Sequence, residues 1–159
     1  TFNFGDDMNH AHVQPNGAYH YHGIPELLVD FLGDSEGMTL VGWAADGFPV
    51  YARYGFSDPN DSTTKTIALK PSYRLKSQPD PNRPMVLTRL SGGPGQGTTP
   101  NTPIAMGAFT QDYEYVDGLG DLDQCNGRFG VTPEFPYGIY YYVVSDDFPF
   151  FTRCLKGNT

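Results

Sequence analysis

The tripeptide Pro15-Asn16-Gly17 sits between two His-x-His pairs, His10 with His12 and His20 with His22, which together hold all four histidines of the 159-residue chain. Pro15 presets the φ angle that a turn needs first, Asn16 tolerates the next position, and Gly17 accepts the left-handed conformation that closes a three-residue hairpin loop. Such a loop fixes the register. Gln14 then faces Ala18, Val13 faces Tyr19, His12 faces His20, Ala11 faces Tyr21, and His10 faces His22. Opposed residues of an antiparallel pair share a face, as do residues two apart on one strand, so the four imidazoles project from one side. Val13, Tyr19, Tyr21 and Ala11 take the other. A two-residue turn at Asn16-Gly17 would shift the register and send the two pairs to opposite faces.

A face of imidazoles is suited to a transition metal, because imidazole is the commonest protein ligand for zinc and copper and its nitrogens must converge about 2 Å from the ion. Cross-strand neighbours about 5 Å apart can do that. The plainer alternative is an exposed polar hairpin, or histidines stacked among tyrosines. Asp6 and Asp7, just upstream, are candidates for an oxygen ligand or a ring-orienting acceptor, or are a solvated acidic turn.

Gly17-Ala18-Tyr19-His20-Tyr21-His22-Gly23-Ile24-Pro25, preceded by His12-Val13-Gln14-Pro15-Asn16, resembles the signature of the YHYH domain family. The likeness continues through Gly42-Trp43-Ala44-Ala45-Asp46-Gly47-Phe48-Pro49-Val50-Tyr51 and through Asp121-Leu122-Asp123-Gln124-Cys125-Asn126-Gly127-Arg128. It implies a secreted or surface protein, placed extracellularly, in the periplasm or on the cell surface. It supports the histidine cluster as the defining feature and supplies no activity.

Cys125 and Cys154 are the only cysteines. A lone pair is a disulfide, half a metal site or two buried thiols. The location implied by the resemblance favours the disulfide, since oxidising compartments preserve it.

The length suits a single domain over 1–159, long enough to bury about two-thirds of its surface. Gly and Pro make up about a fifth of the chain, which points to turns and short strands. The expected fold is mainly β, a compact antiparallel sheet or sandwich of short strands and hairpins, with one short helix and long Gly/Pro-rich loops. A net charge of −8 makes nucleic acid and anionic membranes poor partners, while cations and neutral molecules suit it better. No apolar run approaches a membrane span. Thr1 in place of an initiator Met reads as a piece of a longer precursor.

Along the chain, Pro25 and Glu26 suit a helix start and Gly33 its stop. Thr39 to Ala45 and Phe48 to Tyr54 read as strands around Asp46-Gly47, with Trp43, Phe48, Tyr51 and Tyr54 in the core. In a two-residue turn Asp46 is there for positive φ; the other reading brings its carboxylate to the histidine face. Arg53 reads as a surface cation. Ser91 to Gly97 superficially resembles a phosphate loop but lacks the Lys-Ser/Thr ending. Phe109 to Val116 alternates like a half-buried strand, and Ile139 to Ser145 has the strongest strand propensity. Asp117, Asp121 and Asp123 fail the EF-hand template, because Leu122 and Arg128 stand where Gly and Glu belong, which leaves a looser calcium site or a brace for the histidines.

Three function classes emerge. The first is an extracellular copper- or zinc-binding domain using His10, His12, His20 and His22, with Asp46 as a further candidate ligand. The second is a metalloenzyme, a copper oxidoreductase or zinc hydrolase, with an open coordination position at the same site. The third is a structural subunit of a surface assembly, self-associating through its Gly/Pro loop and tyrosine-rich strands.

Overall fold

The structure, a computed structural model, describes residues 7–32, 36–84, 86–87 and 102–158. In chain order the elements are β1 (Ala11–Val13), β2 (Tyr19–Tyr21), α1 (Glu26–Leu32), β3 (Thr39–Trp43), β4 (Pro49–Ala52), β5 (Tyr54–Phe56), β6 (Thr66–Ala68) and β7 (Tyr73–Leu75). There follow β8 (Val86–Leu87), β9 (Thr102–Pro103), a 3-10 turn at Thr110–Asp112, β10 (Tyr113–Tyr115), β11 (Gly127–Gly130) and β12 (Ile139–Val144). The chain is mainly β, built as several small sheets rather than one. The largest has four strands in the order β11-β12-β4-β3, and β1-β2, β5-β6, β7-β10 and β8-β9 form pairs. Within the four-stranded sheet β12 runs parallel to β4, and the other neighbours are antiparallel.

The chain clusters into two compact units, a smaller one of Arg74–Glu114 and a larger one of Phe2–Tyr73 with Tyr115–Thr159. In the smaller unit a fully buried ion pair organises the loops. Arg83 Nε meets Asp112 Oδ1 at 2.5 Å, and the guanidinium also donates to the carbonyls of Ile104 and Ala105. Asp112 Oδ2 accepts from the backbone N–H of Gly107 and Phe109. The Arg83 hydrogen bond, with help from those two amides, holds the Asp112 carboxyl down at about 2. This cluster replaces the first part of the strand expected over Phe109 to Val116: Asp112 faces inward to Arg83, which bends Thr110–Asp112 into a 3-10 turn, and β10 starts only at Tyr113.

In the larger unit, Tyr51, Tyr141 and Val143 are wholly buried and pack with Met38, Leu69 and Leu122. Tyr51 and Tyr141 meet edge to face, 5.3 Å apart. A second apolar cluster joins Ile24 and Val29 to Ala52 and Val144, and so seats α1 on the sheet. Pro25 accepts the first helical bond, from the N–H of Val29. The Gly33 stop lies outside the described residues.

Arg53 corrects two expectations. It has φ of 37°, which breaks the strand expected from Phe48 to Tyr54 into β4 and β5. It is also no free surface cation, since its guanidinium meets Glu26 at 2.6 Å and Asp146 at 3.4 Å. Trp43 departs from expectation too: it is 58% exposed, at the end of β3 beside Phe135, while Tyr51 fills the core. The expected disulfide is present between Cys125 and Cys154. It pins the final segment beside β11.

Candidate metal centre

The hairpin forms in the register that a three-residue loop dictates. Ala11 pairs with Tyr21, His12 with His20 and Val13 with Tyr19. The Gln14 N–H bonds the Ala18 carbonyl, the Gly17 N–H bonds the Gln14 carbonyl, and Gly17 adopts φ of 85°. With no Cβ, glycine reaches this left-handed region without strain. The second hairpin repeats the device: Ala44 pairs with Phe48, the Gly47 N–H bonds the Ala44 carbonyl, and Gly47 has φ of 83°. Asp46 is therefore the middle residue of a three-residue loop. It is not among the residues of positive φ, contrary to the two-residue turn expected there.

Register puts three imidazoles together. The ring centroids of His12, His20 and His22 form a triangle with every side 4.6 Å. One nitrogen from each ring lies within 4.8 Å of the others, and among the described residues this is the group that can hold a metal ion. Nitrogens bound to one ion at about 2.0–2.1 Å stand roughly 3–4 Å apart, so small rotations of the three rings would bring them to ligand spacing. His12 and His20 are half-buried, and His22 is exposed.

The chemistry of His20 fits a ligand. Its Nδ1 is sealed from solvent and has no hydrogen-bond partner. A buried polar atom left so costs about 1–3 kcal/mol unless something satisfies it. Its Nε2 lies 3.2 Å from the Gln14 side-chain amide. Turned one way, that amide donates N–H to Nε2, which leaves the ring proton on Nδ1. Turned over, its carbonyl accepts the Nε2 proton and the Nδ1 lone pair is free for an ion. Metal-bound histidines ordinarily donate their second N–H to an oxygen in this way.

The fourth histidine does not join. His10 lies just before β1 with φ of 54°, because its N–H closes a turn onto the Asp7 carbonyl. Its carbonyl still accepts the His22 N–H, but its side chain packs over Gly23, where an added Cβ would lie 3.0 Å from its own. The expected pairing of His10 with His22 thus survives in the backbone and fails in the side chains.

Asp46 does not join either. Its Oδ2 accepts from the Tyr142 hydroxyl at 2.5 Å and from the backbone N–H groups of Gly157 and Lys156 at 3.0 and 3.1 Å. Partial burial opposes its ionisation, yet the hydrogen bonds from Tyr142, Gly157, Phe48 and Lys156 hold the carboxyl below its ordinary range. Burial, then the bond to Asp46, pushes the Tyr142 hydroxyl up to about 12. Asp46 is the anchor of the C-terminal segment, a role that needs the distant residues 142, 156 and 157.

Asp7 serves the back of the hairpin. Its carboxylate accepts from the Tyr19 hydroxyl at 2.6 Å and from the N–H groups of Asn9 and Ala11, on the side away from the imidazoles. Asp6 lies outside the described residues, as do Ser91 to Gly97. Asp117, Asp121 and Asp123 do not converge as a calcium site would require. Asp117 takes the Tyr115 hydroxyl, Asp121 the Lys70 N–H, and Asp123 the ammonium of Lys156 at 3.1 Å, so each carboxylate is turned to its own partner.

With this geometry in view, a family model described as "YHYH protein" matches residues 1–157, nearly the whole chain. The chain belongs to the YHYH family. No curated protein and no solved structure matches it. Two residues of the family tetrapeptide, His20 and His22, therefore lie in the imidazole triangle, while its tyrosines occupy the opposite face. Gln14 is the residue that reading for ligands passed over. On β1's extension it stands two residues from His12 and diagonal to His20, so the register itself carries the signal.

Proposed function

We propose that this YHYH chain is an extracellular metal-binding domain in which His12, His20 and His22 hold one transition-metal ion, copper or zinc. The observation that carries the reading is the buried, unpartnered Nδ1 of His20, on a ring packed against two further imidazoles. An all-imidazole set suits copper and zinc, and the general affinity order ranks copper(II) above zinc. The disulfide agrees with an oxidising compartment. No helix among the described residues is long and apolar enough to cross a membrane.

Three ligands, one of them exposed, favour an exchangeable or catalytic ion over a closed structural site, which takes four. This supports the second reading, a metalloenzyme of the copper oxidoreductase or zinc hydrolase kind. When bound, the ion would supply Lewis acidity or, for copper, electron transfer. The chain would supply three neutral donors, with His20 oriented by Gln14, and a rim at His22 open to solvent.

Titration of the purified chain with copper(II) and zinc, read by calorimetry and metal analysis, tests both readings. One equivalent should bind, and His20→Ala and His22→Ala should each abolish tight uptake. Uptake unchanged in both variants overturns the metal reading. Turnover with metal-loaded protein, lost in His22→Ala, separates an enzyme from a binding module.

A further inference from the structure

A concave feature of the larger unit shares no residue with the histidine triangle. It is a groove of about 530 Å³, within the roughly 300–1,000 Å³ typical of small-molecule sites. Its walls are the loop from Tyr115 to Asp123 and the strands β11 and β12, with Lys156 at the edge. We propose that this groove binds a neutral saccharide.

Charges of both signs line the groove. Asp117, Asp121 and Asp123 all line the groove and repel an anion. Lys156 and Arg128 line it too, with the Lys156 ammonium 3.1 Å from Asp123. The carboxylates do not converge on a point, so a divalent cation lacks its ligands. A neutral ligand that both donates to carboxylates and accepts from an ammonium matches this mixture. Vicinal hydroxyls do both.

The acceptors are already oriented. Asp117 Oδ1 takes the Tyr115 hydroxyl at 2.8 Å, and Asp121 Oδ2 takes the Lys70 N–H at 2.8 Å. Each of these exposed carboxylates spends one oxygen on the chain, and the second keeps its lone pairs for a ligand. Asp123 is held more firmly, by the N–H groups of Cys125 and Gly127 and by the Tyr140 hydroxyl at 3.1 Å from both oxygens. The Asp123 side chain has little freedom left to lose on binding.

The aromatic surface supplies the rest. Phe129 on β11 lines the groove and is 61% exposed, although it belongs to the four-stranded sheet. Its ring rests on Gly138, where an added Cβ would come within 2.7 Å of it, so it is propped rather than loose. A sugar ring has an apolar C–H face and an edge of hydroxyls. Stacking the first on Phe129 and turning the second toward Asp117, Asp121 and Lys156 uses both sides of the groove. An exposed aromatic beside fixed polar groups is the usual composition of a recognition patch.

The test is calorimetric titration and amide-shift NMR of the full chain with neutral oligosaccharides: cellotetraose, maltotriose, mannotriose and N,N′,N″-triacetylchitotriose. At least one should bind saturably with a dissociation constant of about 1 mM or below. Phe129→Ala should weaken it at least about tenfold, and Phe129→Tyr should retain it. Should Phe129→Ala not fold, the exposed pair Asp117→Asn with Asp121→Asn decides in the same way. His20→Ala should leave saccharide binding unchanged, so failure of the metal reading leaves this one standing. No saturable binding across the panel, equal binding by the variants, or tighter binding of putrescine, inorganic phosphate or adenosine would overturn the proposal.

Discussion

Asp46 and His20 are both polar side chains near a hairpin loop, each partly buried, and they differ in how their atoms are satisfied. Asp46 has its oxygens filled from within the chain, by a tyrosine hydroxyl and the amides of residues 48, 156 and 157. His20 has one nitrogen against Gln14 and the other buried with nothing. Filled valences make a joint of the scaffold. An empty one, on a ring that touches two more imidazoles, leaves a place for a ligand. The same contrast separates the four-stranded sheet, whose buried tyrosines all find partners, from the two-stranded hairpin that carries the histidines on little else.

The sharpest way to break this contrast is to damage the sheet and ask whether the hairpin notices. Tyr51→Ala removes a wholly buried ring from the core and should cost about 3–5 kcal/mol by denaturant titration. Metal affinity of the fraction still folded should not change. Cys154→Ser should cost about 3–4 kcal/mol by the chain-entropy argument for a 29-residue separation, again without loss of affinity. A fall in metal affinity parallel to stability in either variant would mean that the hairpin is not an independent site.

Next come changes on the hairpin itself. His20→Ala should lower copper(II) affinity by about 100-fold or more, while stability without metal moves by less than about 1 kcal/mol, because the lost ring carries an unsatisfied atom. Gln14→Leu should lower affinity by about 10-fold, with Gln14→Glu retaining it, since only the latter keeps an oxygen for the His20 Nε2 proton. Equal affinity in Gln14→Leu would show that His20 binds through Nε2 instead.

The smallest effect belongs to Asp46. Its carboxyl is depressed in the folded chain, so its contribution is fully present above the unfolded carboxylate value of about 3.9 and fades as pH falls below it. Asp46→Asn should cost about 1 kcal/mol at pH 7 and flatten the acid limb of the stability curve, with metal binding intact.

Much of this was legible in the chain because it is local. Pro15-Asn16-Gly17 sets the loop, the loop sets the register, and the register brings His12 opposite His20 and beside His22. The β-branched and aromatic run at Ile139 likewise declares β12, and alternation separates Tyr141 from Tyr140 and Tyr142. What was not legible depends on partners far away in sequence. His10 leaves the cluster through a turn onto Asp7. Asp46 is claimed by Tyr142 and the C-terminal segment, about 100 residues on. Trp43 is exposed because the core was filled by Tyr51 and Tyr141, and Asp112 bends a strand because Arg83 needed a buried counter-ion.

Copper(II) stoichiometry in five proteins, the parent chain, His10→Ala, Asp46→Asn, His12→Ala and His20→Ala, distinguishes a site of three imidazoles from one that needs four histidines or a carboxylate. One tightly bound equivalent should persist in the first three and vanish in the last two. Loss in His10→Ala or Asp46→Asn, or retention in His20→Ala, would contradict the three-imidazole site.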